Sequence, residues 1–473
     1  MAVDISRRSF VAGSAATLGA ASVTLGGPIS AYAQRAKDSK KRPKTAGYGP
    51  LVATAEEDTG IKYLALPVGF KYRLINRAGA PMRNGLPTPG IFDGTGAFPG
   101  PGGRTILIRN HENRSRPGEV TVPVATGKRY DPDVNVRGGN TKLVVGKDRR
   151  LQEIFPVLGG THTNCAGGIT PWNSWITCEE IFNYGATETN VTPGTGVPHG
   201  YCFEVDAATN GAVPPQPILD AGRFAHEAVA WFGGSLYETE DRGDACLYRF
   251  TPEREPKEAG DLASFGGKLE ALVVRGRPNF DADAAQPGES YQVEWVTVDE
   301  PNPLTDTVRY QAQARGAAIF NRTEGIWATD KGVYFDCTSG GDAGLGQLWE
   351  LRPRGRDGGV LKLVFESETA EDLEAPDNLV VVPSTGDVFL QEDGPGTQYV
   401  RGVTPKGLIY DFARTILNPT EFCGGCFSPD GSTFFVSQQG DRLVGDQTPA
   451  SQPDSIAGLT FAIWGGFERR KED

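Results

Sequence analysis

Over much of the chain, apolar and polar residues alternate in runs of roughly four to eight positions, each closed by Gly, Pro, Asn, Asp or Ser. That period places one face of each run inward and predicts short β-strands joined by tight turns. The stretch from Gly159 to Glu180, GGTHTNCAGGITPWNSWITCEE, is the densest example. It reads as a hairpin that starts at Asn164-Cys165, turns, and returns through Trp175 to Glu179-Glu180, so its two ends meet at one rim of a sheet. Helical periodicity is scarce; Ser367 to Ala375 (SETAEDLEA) offers one turn or two.

The hairpin pattern recurs. Glu227 leads to Glu240-Asp241, Glu324 to Cys337-Thr338, Asp377 to Glu392-Asp393, and Glu421 to Gln438, in each case about 14 to 17 positions later with a Gly-containing turn between. Aromatic-rich runs such as YCFEVDAATNGA and QLWELRPRGRDGGVLKLVFE lie between these copies and read as outer strands. An inner and an outer hairpin repeated roughly every 50 to 90 residues is the sequence form of a β-propeller blade. Residues from Ile61 to Val145 supply a further blade and the closing strands, so the expectation is an all-β propeller of about six blades with few short helices. A two-sheet sandwich explains the strands but not the shared spacing.

Composition agrees with this architecture: 62 Gly and 34 Pro are about a fifth of the 473 residues and are spread along the chain. The formal net charge of −12 argues against a nucleic-acid partner, which requires a basic face. An acidic protein that acts on phosphate groups must invert its charge locally, and metal ions do that.

Residues 1–33 carry Ser6-Arg7-Arg8-Ser9-Phe10-Val11, a mild apolar run and a small-x-small site at Ala31-Tyr32-Ala33. This order predicts a twin-arginine signal peptide and use of the twin-arginine export machinery, with a periplasmic or secreted destination. Residues 34–48 read as a flexible basic leader and 49–473 as one propeller domain. No later run is apolar for long enough to cross a bilayer, and the expected assembly state is a monomer.

Seven cysteines leave at least one unpaired, with Cys165 the candidate. Cys423-Gly424-Gly425-Cys426 has redox spacing but no following helix, so a disulfide or two buried thiols is expected there. Only four histidines are present, which weakens a His-rich zinc site; His111 and His226 read as hydrogen-bonded structural residues. Trp172 and Trp175 read as core or channel wall, and Gly340 to Gly346 (GGDAGLG) as a turn.

In a closed propeller the inner hairpins aim their polar ends at one central pocket. A carboxylate-rich pocket suits hard cations such as Ca²⁺ and Fe³⁺, and one thiolate favours iron at its position. At these residues the chain resembles the PhoX-type alkaline phosphatases. The similarity runs from LPVGFKYRLINRAG (from Leu66) through RNHE (Arg109 to Glu112), NCAGGITPWNSWITCEE, GRFAHEAVAW, RTEG (Arg322 to Gly325), PDNLVVVP, EDG (Glu392 to Gly394) and FSPDG (Phe427 to Gly431). The NCAGG and TPWxxWxTCEE pair is its most specific part. The resemblance implies a twin-arginine-exported phosphatase with a six-bladed propeller, acting on phosphate monoesters through a mixed iron and calcium site. It puts Cys165 and Glu180 at iron positions, with Glu180 preferred to Glu179, and Glu227 and Glu324 at carboxylates holding iron or bridging to calcium. Asp241, Asp377, Glu392 and Asp393 fall at calcium positions, Arg322 at the phosphate clamp, and Asn164 at phosphate or behind the Cys165 loop. The chain is more compact than the longer family members, a departure that bears on substrate range more than on metal binding.

Two other functions fit the strand pattern: a calcium-dependent propeller hydrolase of the lactonase or phosphotriesterase kind, and a non-enzymatic periplasmic binding propeller with structural metal. The first gives Cys165 and Arg322 no role, and the second predicts folding and calcium binding with no turnover of a phosphate ester.

Overall fold

Six hairpins, each built on an innermost strand, form the inside of the molecule. The innermost strands are Phe92–Gly100, Asn164–Ile169, His226–Phe232, Thr323–Ala328, Pro376–Val381 and Phe422–Phe427, and each packs against the next until the last meets the first. This computed structural model describes residues 47–116, 118–182, 195–441 and 448–471. The unit Met1–Lys44, with the expected signal peptide and most of the leader, lies outside the described residues. Gly47 and Tyr48, at the end of the expected leader, belong to the folded body: Gly47 bridges Lys471, and Tyr48 packs edge-on against Phe70, Phe412 and Phe467.

Hydrogen bonding groups the strands into five antiparallel sheets. The first inner strand heads a four-stranded sheet that ends at Leu151–Thr161, and the second a three-stranded sheet that ends at Cys202–Asp206. The third and fourth hairpins head the two ends of a nine-stranded sheet, joined where Ser290–Thr297 pairs with Gly358–Glu366. The ring closes through the N-terminal segment, as expected of the Ile61 to Val145 region. Lys71–Arg77 pairs with Leu459–Trp464 on the sixth hairpin's sheet, and Leu64–Pro67 pairs with Ile409–Thr415 on the fifth's. Closure removes most of the exposed strand edges that an open sheet of this size would carry.

Apolar residues between neighbouring sheets form the core, including Trp175 and Trp349, both almost fully buried. Trp172 is half-buried and meets Trp231 edge-on, with ring centroids 5.0 Å apart. Helices among the described residues are short: Asp261–Phe265 and Val308–Gln313. Ser367 to Ala375 forms bends and turns instead of the helical turn its acidic composition suggests. There Ser367 Oγ donates to the Leu373 carbonyl at 2.6 Å and Thr369 Oγ1 to Asp372 at 3.0 Å, local bonds that compete with a helix.

The inner strands touch backbone to backbone, which only glycine allows. A Cβ on Gly168 would lie 1.9 Å from the Val229 carbonyl oxygen of the next inner strand, and one on Gly325 would lie 2.7 Å from the Leu379 nitrogen. Gly168→Ala is therefore expected to cost about 1–3 kcal/mol, read as a lower denaturant midpoint. Gly211→Ala, whose Cβ meets nothing within 4 Å, is expected to stay within about 0.5 kcal/mol.

Candidate metal centre

All six inner hairpins end in the same way. The first residue of the inner strand pairs with the last residue of the returning strand: Phe92 with His111, Asn164 with Glu179, His226 with Glu240, Thr323 with Cys337, Pro376 with Glu392, and Phe422 with Gln438. In the first five hairpins a bulge follows this pair, and in the sixth it comes one pair later, after Cys423 and Ser437. Bulges re-aim a side chain, and in those five the residue just after the pair is Asp93, Cys165, Glu227, Glu324 or Asp377, whereas the sixth hairpin supplies Glu421 from just before its pair. The residue just beyond each returning strand is Glu112, Glu180, Asp241, Thr338, Asp393 or Gln439. Four of the inner strands are entered through a residue with positive φ: Ile91 at 50°, Thr163 at 47°, Arg322 at 57° and Ala375 at 47°. Backbone of this kind costs free energy for a non-glycine residue and is held by its surroundings.

The result is a chain of overlapping donor groups. Asp93, Glu112 and Cys165 form one; Cys165, Glu180 and Glu227 the next; then Glu227, Glu324 and Asp377; then Asp377, Asp393 and Glu421, with the ligand atoms in each group within 4.8 Å of one another. Cys165, Glu227 and Asp377 are each shared by two groups. The Cys165 thiol donates to Glu227 at 2.8 Å and meets Asp93 at 3.5 Å. Gln439 Nε2 donates to Glu112 at 2.8 Å, Glu421 at 2.7 Å and Asp93 at 3.2 Å, tying the two ends of the chain of groups together.

Two arginines flank the carboxylates. Arg322 grips Asp241 with Nε at 2.6 Å and Nη2 at 3.2 Å and also donates to Glu324. Arg114 pairs with Glu112 and lies 3.4 Å from Glu180. Both arginine side chains are about a quarter exposed.

Burial, reinforced by the neighbouring acids, pushes the carboxyl groups of Asp93, Glu227, Glu324 and Glu421 well above the usual range. The same causes raise the Cys165 thiol. Glu227 Oε2 and Glu324 Oε2 are buried without a hydrogen-bond partner. So many acids in one buried site cannot all ionise unless cations stand among them, and an oxygen-rich set with one thiol fits hard cations with one softer position. The residues present therefore fit a multi-metal cluster.

Of the expected ligands, Cys165, Glu180, Glu227, Glu324, Asp377 and Asp393 come together. Asp241 stands beside them on Arg322, outside the four groups. Glu392 is not brought to the cluster: it accepts from Arg401 Nε at 2.8 Å and from the backbone nitrogens of Glu374 and Tyr399. The physical reason is the period of two along a strand. Glu392 is the paired terminal residue and turns into its blade, whereas Asp393 turns to the axis. The same alternation separates Glu179 from Glu180. Glu179 accepts from the backbone of His162 and Gly200 and from the His199 ring, while Glu180 faces Cys165. Asn164 likewise points into its blade, accepting from Thr161 at 2.6 Å and donating to Thr177 at 3.0 Å, behind Cys165.

Sequence reasoning did not assign Asp93, Glu112, Glu421, Gln439 or Arg114 to the cluster. Asp93 and Glu112 stand at the repeat's two positions, but strands of nine and eight residues separate them more widely than in the other copies. Glu421 was visible as the opening of the last copy. Cys423 and Cys426 are two buried free thiols. An apolar cavity at the other end of the inner strands, lined by Ile169, Pro171, Trp231, Ile326 and Trp327, offers no ligand side chain.

The Glu179 support depends on pH. Burial alone would lower the His199 imidazole, but Glu179 at 2.7 Å and Asp131 at 3.3 Å outweigh it and hold its pKa up at about 9. A raised folded pKa contributes stability that is complete below the unfolded value near 6.5 and is lost as pH rises through about 9. Between those limits the chain is expected to lose up to about 3 kcal/mol more stability than a His199→Gln variant, measured by denaturant titration at each pH.

A family profile described as Alkaline phosphatase PhoX matches residues 46–155 and 148–441. Among solved structures, Pseudomonas fluorescens PhoX in complex with vanadate, a transition state analogue, superposes with a TM-score of 0.65 at 18% identity, over 89% of this chain and 98% of that one. That likeness supports the propeller fold. A gluconolactonase from Xanthomonas campestris gives a TM-score of 0.36 at 10% identity, over 89% and 99% of the two chains. The WD40 repeats of RRP9 give 0.40 at 7%, over 87% and 100%. Neither of these two bears on the site. No curated protein sequence matches. The profile covers most of the chain, and with it the protein belongs to the alkaline phosphatase PhoX family and is a phosphatase.

Proposed function

We propose that this phosphatase is exported and metal-dependent, and that it hydrolyses phosphate monoesters to release inorganic phosphate at the axial cluster. The observation that carries the reading is the unbroken series of donor groups sharing Cys165, Glu227 and Asp377 inside a phosphatase-family chain. We assign Fe³⁺ to the thiol-containing end, around Cys165, Glu180 and Glu227, and Ca²⁺ to the all-oxygen end, around Glu324, Asp377, Asp393 and Glu421. Bound there, the cations supply Lewis acidity toward phosphate oxygens and a nucleophile active near neutral pH.

The chain's own residues do the rest. Arg322, oriented by its fork on Asp241 and its bond to Glu324, presents positive charge to a phosphate at the pocket mouth, and Arg114 does so from the opposite flank. Asn164 holds the strand that carries Cys165. The twin-arginine sequence supports export to the periplasm or beyond, and no helix among the described residues is long and apolar enough to cross a membrane. A monomer suffices, since every residue assigned a role comes from one chain.

Cys165→Ser and Glu227→Gln are expected to lose iron and to lower p-nitrophenyl phosphate hydrolysis by about 100-fold or more. Undiminished metal and activity in Cys165→Ser would contradict the mixed-metal site and favour a calcium-only hydrolase. Arg322→Ala is expected to keep its metals while kcat/KM falls by roughly 100-fold, the loss of one positioned charge at the reacting group. Glu392→Gln is expected to leave the folded enzyme's turnover unchanged and to cost about 3 kcal/mol of stability, because Arg401 loses a buried partner.

A further inference from the structure

Behind the axial cluster lies another group of ligand-type side chains. Cys202, His226 and Glu238 bring their ligand atoms within 4.8 Å of one another, and all three residues are fully buried. They come from two neighbouring sheets: Cys202 from Cys202–Asp206, His226 and Glu238 from His226–Phe232 and Ser235–Glu240. Cys178 sits directly opposite Cys202 in the strand register, with the two Sγ atoms 3.6 Å apart.

The polar atoms here are incompletely satisfied. Glu238 Oε1 has no hydrogen-bond partner, and Oε2 meets His226 Nδ1 at 3.2 Å without hydrogen-bond geometry. His226 Nε2 lies 3.1 Å from the Gly222 carbonyl, which requires a proton on Nε2 and so leaves Nδ1 as the nitrogen facing the group. Phe224 stacks on the ring at a centroid distance of 3.7 Å and fixes its plane. Nδ1 faces a buried carboxylate and a thiol, an arrangement that calls for positive charge there, either a second ring proton or a bound cation.

We propose that Cys178, Cys202, His226 and Glu238 bind one structural Zn²⁺ that staples two neighbouring blades together. The donor chemistry differs from that of the axial cluster: two sulfurs, one nitrogen and one oxygen suit zinc, while the oxygen-rich axis suits harder ions. The spacing also fits. Zinc–sulfur bonds of about 2.3 Å in a tetrahedron set a sulfur–sulfur edge of about 3.8 Å, and nitrogen and oxygen ligands at about 2.0–2.1 Å set an edge of about 3.3 Å. The Cys178–Cys202 and His226–Glu238 edges measure 3.6 Å and 3.2 Å here; Cys178 lies outside the three-residue group and joins it through Cys202. A Cys178–Cys202 disulfide with a protonated His226 paired to Glu238 is the competing arrangement, and it differs from the zinc site in its thiol and metal counts. Glu180 lies two residues beyond Cys178, and Glu227 follows His226, so the zinc would hold from behind two strand ends that supply the axial cluster.

The test is zinc and thiol counting on the purified full-length chain. About one tightly held zinc per chain is expected after dialysis against a chelator that removes calcium, together with seven thiols titrated in denaturant with chelator and no reductant. Cys202→Ser and Glu238→Gln are each expected to lower zinc at least tenfold, whereas Cys426→Ser, a buried thiol on a different sheet, retains it. Five thiols, seven minus two, with a Cys178–Cys202 linked peptide would overturn the proposal, as would seven thiols and no zinc. The wild-type counts decide the matter even if a variant fails to fold. Because zinc is scored separately from iron, calcium and phosphatase turnover, its absence would leave the axial assignment untouched.

Discussion

Repulsion among buried acids is the constraint around which this molecule is arranged. Closing the ring of inner strands forces six hairpin ends onto one axis; a bulge at five of them turns a donor residue inward, and the sixth supplies Glu421 from just before its strand. Asp93, Glu227, Glu324 and Glu421 are all held toward their protonated forms by burial and by one another. Cations among them would relieve the repulsion with the acids ionised, which is why carboxylates stored on the axis fit a metal cluster.

The supporting layer has the opposite character. One residue back along two of the returning strands, carboxylates turn into the blades and are satisfied by protein: Glu179 by His199 and backbone nitrogens, Glu392 by Arg401. The arginines Arg114 and Arg322 offset part of the axial charge, and Gln439 donates to three of the acids, without filling the cluster. Positioning and binding are thus divided between adjacent residues of the same strand ends, a direct consequence of the two-residue period.

That division explains what could be read from the sequence. The propeller and most of the cluster were legible because hairpins of similar length repeat their polar ends at similar spacing, and Cys165, Glu227, Glu324 and Asp377 stand at equivalent places. Choosing between Glu392 and Asp393 required the pairing register, which composition does not reveal. The Asp93 and Glu112 pair was hidden by longer strands, and Arg114 by its place in a loop after the returning strand. The approach of Cys202 to His226 and Glu238 joins two sheets, a relation that no repeat spacing encodes.

The most direct test of the axial cluster is elemental analysis of the exported protein coupled to p-nitrophenyl phosphate hydrolysis before and after chelation. Iron together with calcium, and activity lost on chelation and restored by adding calcium, is the predicted result. A chain that holds neither ion and hydrolyses the ester at the same rate with and without chelator would contradict the account.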